Sequence, residues 1–224
     1  MTVLLQTTGA VQAQWLAAAT GGLLLTAVLT LWRRSAKGTV LVLALQGACL
    51  ALLALTVAAR EADVELFAIA VLTLVVKVAV IPTLLSRVAT TGEADETAPV
   101  INPTTGMLLA AALTTLAYLV TRSLSLPAGA ATANAVPVGI SVVLIGFLVL
   151  ITRRQTLTQA VGFVMIDNGI AATALLAAGG LPVVVELGVL IDAVLIVFIL
   201  IVLSGRIRTQ LGSTDLSALR ELRD

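Results

Sequence analysis

Long uncharged stretches, separated by short groups of charged or turn-forming residues, dominate the chain. A helix needs about 20 apolar residues, with a range of about 17–25, to cross the hydrocarbon core of a bilayer. Seven stretches fit: Trp15–Trp32, Gly38–Ala59, Leu66–Ser86, Thr105–Thr121, Val136–Thr152, Thr156–Ala177 and Leu181–Gly205. Lipid cannot satisfy open backbone donors, and the alternation typical of a membrane strand is missing. The sequence therefore predicts an all-α, polytopic membrane helix bundle of about seven transmembrane helices.

Composition supports a lipid environment and removes several functions. Of the 224 residues, 59% are hydrophobic and 11% are charged, against about 45–50% and about 25% in an ordinary soluble domain. The chain has no His and one Cys, whereas zinc, haem and iron–sulfur sites are built from clusters of those residues. The sequence therefore offers no metal site. The net charge of +1 and the 3% aromatic content argue against a nucleic-acid partner.

The Lys and Arg residues predict the orientation of the bundle. With seven spans, the connecting segments alternate between the two sides of the membrane, and cytoplasmic segments collect positive charge. Ten basic residues fall on one side: Arg33, Arg34, Lys37, Arg87, Arg153, Arg154, Arg206, Arg208, Arg220 and Arg223. Arg60 and Arg122 fall on the other side. We therefore expect the N-terminus outside the cell and the C-terminus in the cytoplasm.

Four charged residues lie within the predicted spans: Lys77, Asp167, Glu186 and Asp192. A charge at the centre of a membrane helix costs about 2.5–3.5 kcal/mol on insertion scales, which makes such residues functional candidates. The first, second and fourth each lie 11 residues after the start of their span, which is about 16 Å of helix and close to the midplane. Glu186 lies nearer the outer surface. Together they form a candidate file of ionisable groups.

Two interpretations of this file stay open. Lys77 and one Asp can form a buried ion pair that only fixes which helices pack together. Such a pair leaves the second midplane Asp alone, and an unpaired carboxyl in this medium takes up a proton. A carboxyl that exchanges its proton beside a cation is the requirement for a proton relay.

Pro82 predicts an irregularity next to the lysine. It lies five residues after Lys77 and cannot donate a hydrogen bond to the carbonyl of Val78, so the third span is expected to kink there. A plain packing kink is the alternative. Gln46, Thr158 and Gln159 add polar atoms in or near the spans and are candidates for hydrogen bonds between helices.

Several segments resemble known membrane subunits. The segment from Ile151 to Asn168 resembles the paired-Arg loop and the following helix of subunit K of complex I. Over most of its length, the chain resembles the component E family of group 4 NiFe hydrogenases, which includes hydrogenase-4. That resemblance rests on Val76–Pro82, on Asp167-Asn168-Gly169 and on Glu186–Asp192.

Two departures from these families concern the acid in the sixth span. Aligned on the Arg pair, the glutamate of subunit K falls at Val164, three residues before Asp167. The two positions lie about one turn apart along the helix and about 60° around it. Component E also usually carries Glu at the place of this Asp. The role of the acid is therefore expected with a changed geometry.

The resemblance implies a function and an organisation. It divides the chain into an N-terminal four-helix membrane region, 1–135, and a C-terminal three-helix region resembling subunit K with a short cytoplasmic tail, 136–224. It implies a non-catalytic membrane subunit of a hydrogenase or complex I-like respiratory assembly in a prokaryotic cell membrane. The implied partners are antiporter-like membrane subunits and a peripheral hydrogenase-like arm. The chain would hold no redox cofactor and would contribute Lys77, Asp167, Glu186 and Asp192 to proton or sodium translocation.

Three alternatives remain from the sequence. One is a subunit of a multisubunit cation/proton antiporter, whose small K-like subunit shares the C-terminal pattern but is much shorter. Another is a purely structural membrane anchor of such an assembly. The third is a self-contained transporter, against which we find no inverted repeat and no pair of Gly/Pro-interrupted spans in corresponding positions.

Overall fold

The structure, a computed structural model, describes most of the first 178 residues and a few later positions. The described residues are 2–33, 35–61, 64–91, 101–122, 132–178, 194, 197, 198, 201 and 205. Within these ranges the regular structure is helical and contains no strand. The predicted all-α class is therefore confirmed for this part of the chain.

Seven α-helices follow one another among the described residues between 2 and 178, and two irregular turns interrupt the series. The helices are α1 (Thr2–Trp32), α2 (Ala36–Glu61), α3 (Val64–Leu74), α4 (Ile81–Thr91), α5 (Pro103–Arg122), α6 (Val136–Thr152) and α7 (Thr156–Ala178). A π-helical turn, Val75–Val80, joins α3 to α4 directly. A short 3-10 turn, Ala133–Ala135, precedes α6.

Most of the predicted spans correspond to these helices. Four helices are long and apolar enough to cross a membrane: Ala10–Trp32, Ala36–Ala59, Pro103–Arg122 and Leu157–Ala177. The third and fifth predicted spans match shorter apolar helices, Ala70–Ser86 and Val136–Thr152. These findings fit a multi-pass membrane bundle. The number of spans and their orientation stay predictions, because most of the seventh stretch lies outside the described residues.

The first helix is longer than the sequence predicted. It begins at Thr2, whereas the apolar stretch begins at Trp15. The intervening residues include Gln and Thr but no charge and no proline, so no proline interrupts the helix in this part. Hydrophobicity marks the part of a helix that suits lipid, and a helix can continue beyond that part.

Helices α1, α2, α6 and α7 form the centre of the described bundle. Helix α2 contacts α1, α3 and α7, and α6 contacts α1, α5 and α7. Large side chains from all four central helices are almost completely buried, among them Leu23, Leu50, Ile145 and Met165. Helix α5 lies at the outside of this core and exposes a series of apolar side chains, which is the surface expected of a helix that faces lipid.

Glycines bring α6 and α7 into backbone contact. Gly139 and Gly146 lie seven residues apart on α6, and Gly162 and Gly169 lie seven residues apart on α7. A Cβ atom at Gly169 would lie 2.6 Å from the backbone nitrogen of Val143, and one at Gly146 would lie 2.9 Å from that of Ile166. Small residues at a helix interface let two membrane helices approach closely. The close packing fixes the position of α7, which carries Asp167 and Asn168.

Candidate functional site

Lys77 lies in the π-helical turn between α3 and α4. The N–H group of Ile81 donates to the carbonyl of Val76, five residues back, instead of to the residue four back as in an α-helix. Pro82, where the sequence predicts a kink, is buried in the first turn of α4. The irregularity near the lysine therefore includes a widened turn that contains Lys77 itself. Single π-turns inside α-helices occur frequently at functional sites.

A glycine of α2 lets the helix pack directly on this turn. A Cβ atom at Gly47 would lie 2.8 Å from Cβ of Lys77 and 2.9 Å from its carbonyl oxygen. Such distances leave no room for a side chain at position 47, so the two backbones are in contact. Gln46, the preceding residue of α2, is 1% exposed. Helix α2 thus brings an amide side chain into the interior next to the lysine-bearing turn.

The ammonium group of Lys77 has two partners on α7. It forms an ion pair with Oδ2 of Asp167, and it donates a hydrogen bond to Oδ1 of Asn168 at 2.6 Å. The side chain of Lys77 is 3% exposed and that of Asp167 is 11% exposed. The sequence left open whether Lys77 pairs with Asp167 or with Asp192, and the structure shows the contact with Asp167.

A second amide extends this contact to α2. Nδ2 of Asn168 donates to Oε1 of Gln46 at 3.1 Å, and Asn168, like Gln46, is 1% exposed. Four polar side chains therefore connect the π-turn, α7 and α2 inside an apolar bundle. We call this set, Gln46, Lys77, Asp167 and Asn168, the polar network. The other amide atom of Gln46, Nε2, is buried and has no hydrogen-bond partner among the described residues.

The polar network contains two ionisable groups and two neutral amides. Lys77 and Asp167 carry opposite charges, so the pair is neutral as a whole. The amides of Asn168 and Gln46 offer donors and acceptors but take up no proton. Within the polar network, the ionisable groups are therefore Nζ of Lys77 and the carboxylate of Asp167, and the two amides accept and donate hydrogen bonds beside them.

The structure brings together some of the predicted site residues and leaves others undescribed. Lys77 and Asp167 are in contact, whereas Glu186 and Asp192 lie outside the described residues. The role of Asn168 as a partner of Lys77 was missed by sequence reasoning. An amide beside an acid in the middle of an apolar helix was the available signal, since an uncompensated polar group there is costly. Gln46 was a candidate for a bond between helices, and its partner is Asn168.

The side chain of Arg153 is buried, whereas the sequence predicted a place on the cytoplasmic surface. It is 4% exposed, and its Nη2 donates to the carbonyls of Thr30, Leu31 and Arg33 at 3.2, 3.0 and 3.0 Å. The last carbonyls of a helix have no partner within the helix, and a cation there is also favoured by the helix dipole. Arg153 therefore caps the end of α1 instead of facing solvent, whereas its neighbour Arg154 is exposed.

Comparison with known proteins identifies relatives at two levels of similarity. Hydrogenase-4 component E of Escherichia coli strain K12 is 29% identical over 116 residues, which is 52% of this chain and 54% of that protein. Hydrogenase-4 component E of Shigella flexneri matches to the same extent. No protein-family model matches the chain, and no solved structure matches it.

The second level of similarity covers almost the whole chain. Uncharacterized protein Rv0085 of Mycobacterium tuberculosis is 42% identical over 208 residues, which is 92% of this chain and 94% of that protein. An identity this high along nearly the full length of both chains indicates a common fold. The chain therefore belongs to the family of the mycobacterial protein Rv0085.

Proposed function

We propose that the chain is an integral membrane subunit of a hydrogenase-4-like or complex I-like respiratory assembly. In this proposal it contributes buried ionisable residues to proton or sodium translocation, which is coupled to electron transfer in partner subunits. The observation that carries the proposal is the buried ion pair of Lys77 and Asp167, bonded to Asn168. The similarity to hydrogenase-4 component E over about half of each chain supports the choice of assembly.

The chemistry of the ion pair suits proton transfer. The ammonium of Lys77 and the carboxylate of Asp167 are in direct contact. Movement of one proton from Nζ to Oδ2 gives an amine and a carboxylic acid, so the net charge of the buried site stays zero. The amine then accepts a proton from one side while the acid releases one to the other. A site that conserves its charge during transfer avoids most of the penalty for burying an isolated ion.

The proposed arrangement of the chain follows from the sequence. Seven spans place the N-terminus outside and the C-terminus in the cytoplasm of a prokaryotic cell, with regions 1–135 and 136–224 as the two parts. Glu186 and Asp192 extend the ion pair into a path toward the outer surface. The partners are antiporter-like membrane subunits and a peripheral hydrogenase-like arm that holds the redox cofactors.

Two measurements test this function. Purification in mild detergent, followed by identification of the co-purifying chains, is expected to yield antiporter-like subunits and a hydrogenase-like or quinone-reductase-like arm. Proton uptake into inverted membrane vesicles, driven by electron transfer through the assembly, is expected to fall in Asp167→Asn and in Asp192→Asn. A third variant, Lys77→Met, has Lys37→Met as its matched control, because Lys37 is exposed and is the only other lysine in the chain.

The outcomes separate translocation from a structural role. Normal proton uptake in the Asp167→Asn/Asp192→Asn double variant, with the assembly intact, contradicts the proposal. A Lys77→Met chain that no longer joins the assembly, together with normal uptake in Asp167→Asn, also contradicts it and identifies a structural ion pair. Reduced uptake in an intact assembly supports it.

A further inference from the structure

Along the polar network, Lys77 donates a hydrogen bond to Asn168, and Asn168 donates one to Gln46. An ammonium group has donors only, so the atom of Asn168 that faces Lys77 must be the acceptor Oδ1, as observed. The Asn168 amide then directs its donor Nδ2 toward Gln46, so the atom of Gln46 that faces it must be the acceptor Oε1, as observed. The charge on Lys77 therefore determines that the outer atom of the Gln46 amide is the donor Nε2.

This outer donor is buried and requires an acceptor. Gln46 is 1% exposed, and Nε2 has no acceptor among the described residues. A half-turn of the amide about its last bond gives no relief, because it would place Nε2 against Nδ2 of Asn168, donor against donor. Buried polar groups in native proteins are almost always paired, with protein atoms or with ordered water.

We propose that Nε2 of Gln46 binds a buried water molecule that continues the polar network on its α2 side. The ligand class follows from the charges at the site. Lys77 and Asp167 neutralise each other, so the site offers no net positive charge to attract an anion. Water supplies the acceptor that Nε2 needs, and its two own donors and remaining lone pair allow the two to four hydrogen bonds typical of a buried water. The inference concerns hydration and does not depend on whether the ion pair moves protons.

Water-edited solid-state NMR on the full-length chain in lipid bilayers tests the water site. The side-chain amides are labelled with nitrogen-15, and the signals of Gln46 and Asn168 are identified by their loss in Gln46→Met and Asn168→Leu. Magnetisation from water is expected to reach the Gln46 amide several-fold faster than the Asn168 amide. The Asn168 amide is the internal control, because both side chains are 1% exposed and belong to the same polar network.

The possible results give separate answers. Faster transfer to the Gln46 amide supports the water site. Equal or slower transfer overturns it, and in that case a shift of the Gln46 signal in Asp192→Asn would identify a protein carboxylate as the acceptor. Because the experiment measures hydration in the wild-type chain, its failure is distinct from a loss of proton uptake, which tests the proposed function.

Discussion

Lys77 and Asp167 lie 90 residues apart in the sequence, yet their side chains form an ion pair in the interior of the bundle. The contact joins the π-turn to α7, and Asn168 extends it to Gln46 on α2. Three separate segments of the chain are therefore held by one small group of polar side chains. The stability of the bundle should depend on the completeness of that group.

Removal of the lysine charge alone is expected to destabilise the protein. Lys77→Met leaves the carboxylate of Asp167 buried without its partner, and the loss of one member of a buried pair costs about 3–5 kcal/mol. Lys77→Met/Asp167→Leu is expected to recover much of this loss, because both charges are then absent. Unfolding in mild detergent is followed by the reaction of Cys49, the single thiol of the chain, with a fluorescent reagent.

Lys37→Met is the control for this series, since Lys37 is exposed. A double variant that is as unstable as Lys77→Met would show that the ion pair is not the source of the effect.

The hydrogen bond between the side-chain amides of Asn168 and Gln46 is expected to make the stability effects of substituting the two residues depend on each other. Asn168→Leu removes an acceptor from Lys77 and the donor to Gln46, which should cost about 1–2 kcal/mol on the scale of polar contacts between membrane helices. Gln46→Leu/Asn168→Leu should cost less than the sum of the two single changes, because no buried amide is then left half-paired. The two single variants and the double variant form a double-mutant cycle measured by thermal unfolding.

The exposed Asn134 provides a matched control for this cycle, and Asn134→Leu should be neutral. Strictly additive costs in the cycle would contradict a direct contact between the two amides.

The close approach of α2 to the π-turn makes Gly47 sensitive to a single methyl group. Gly47→Ala places Cβ 2.8 Å from Cβ of Lys77, and overpacking of this kind costs about 1–3 kcal/mol. Gly21→Ala in α1 meets nothing within 4 Å and should gain up to about 1 kcal/mol from helix propensity. The two changes are expected to move the midpoint of thermal unfolding, followed by circular dichroism, in opposite directions. A neutral Gly47→Ala would contradict the backbone contact.

The cap on α1 predicts a sharp difference between two neighbouring arginines. Arg153→Met leaves three carbonyls near the end of α1 without their donor. The two hydrogens of Nη2 serve all three carbonyls, so the loss corresponds to two bonds to a charged group at about 1.5–3 kcal/mol each. We expect a loss of about 3–6 kcal/mol for Arg153→Met and almost none for the exposed Arg154→Met. Burial lowers the pKa of Arg153 through desolvation, but a guanidinium stays protonated at ordinary pH.

The difference between the two arginine variants should therefore be the same at acidic and at neutral pH. Equal stability of the two variants in thermal unfolding would contradict a role for Arg153 as the cap.

The predicted orientation can be tested by labelling at two serines. In a variant with Cys49→Ala, a membrane-impermeant maleimide is expected to label Ser125→Cys in intact cells. Ser213→Cys should react only after the cells are permeabilised, because the positive-inside rule places the C-terminal tail in the cytoplasm. Labelling of both sites from the same side would contradict the seven-span arrangement.

The sequence predicted how deep residues lie along their helices better than it predicted the directions of their side chains. Hydropathy located α6 at Val136–Thr152 as observed, because a turn and an arginine pair mark its ends. Counting residues placed Lys77 and Asp167 at a similar depth. It did not decide whether Asp167 or Asp192 is the partner of Lys77, since depth carries no information about the direction in which a side chain points. The π-turn at Lys77 also changes the helical phase in a way that a regular periodicity does not describe.

The sequence did not predict the burial of Arg153, for a related reason. The positive-inside rule reports the side of the membrane on which an arginine lies, and that side is the same for a solvated arginine and for one that caps a helix. Arg153 and Arg154 are identical in type and adjacent in sequence, but one is buried and the other is exposed.

The contact between Arg153 and α1 also has a consequence for the order of biosynthesis. Arg153 donates to the carbonyl of Thr30, which precedes it by 123 residues. When α1 and α2 leave the ribosome, the residue that completes the end of α1 has not yet been translated. Helices α1 and α2 therefore lack this donor until α6 and the turn after it have been made, and a chain truncated before Arg153 leaves these carbonyls of α1 to water or another partner.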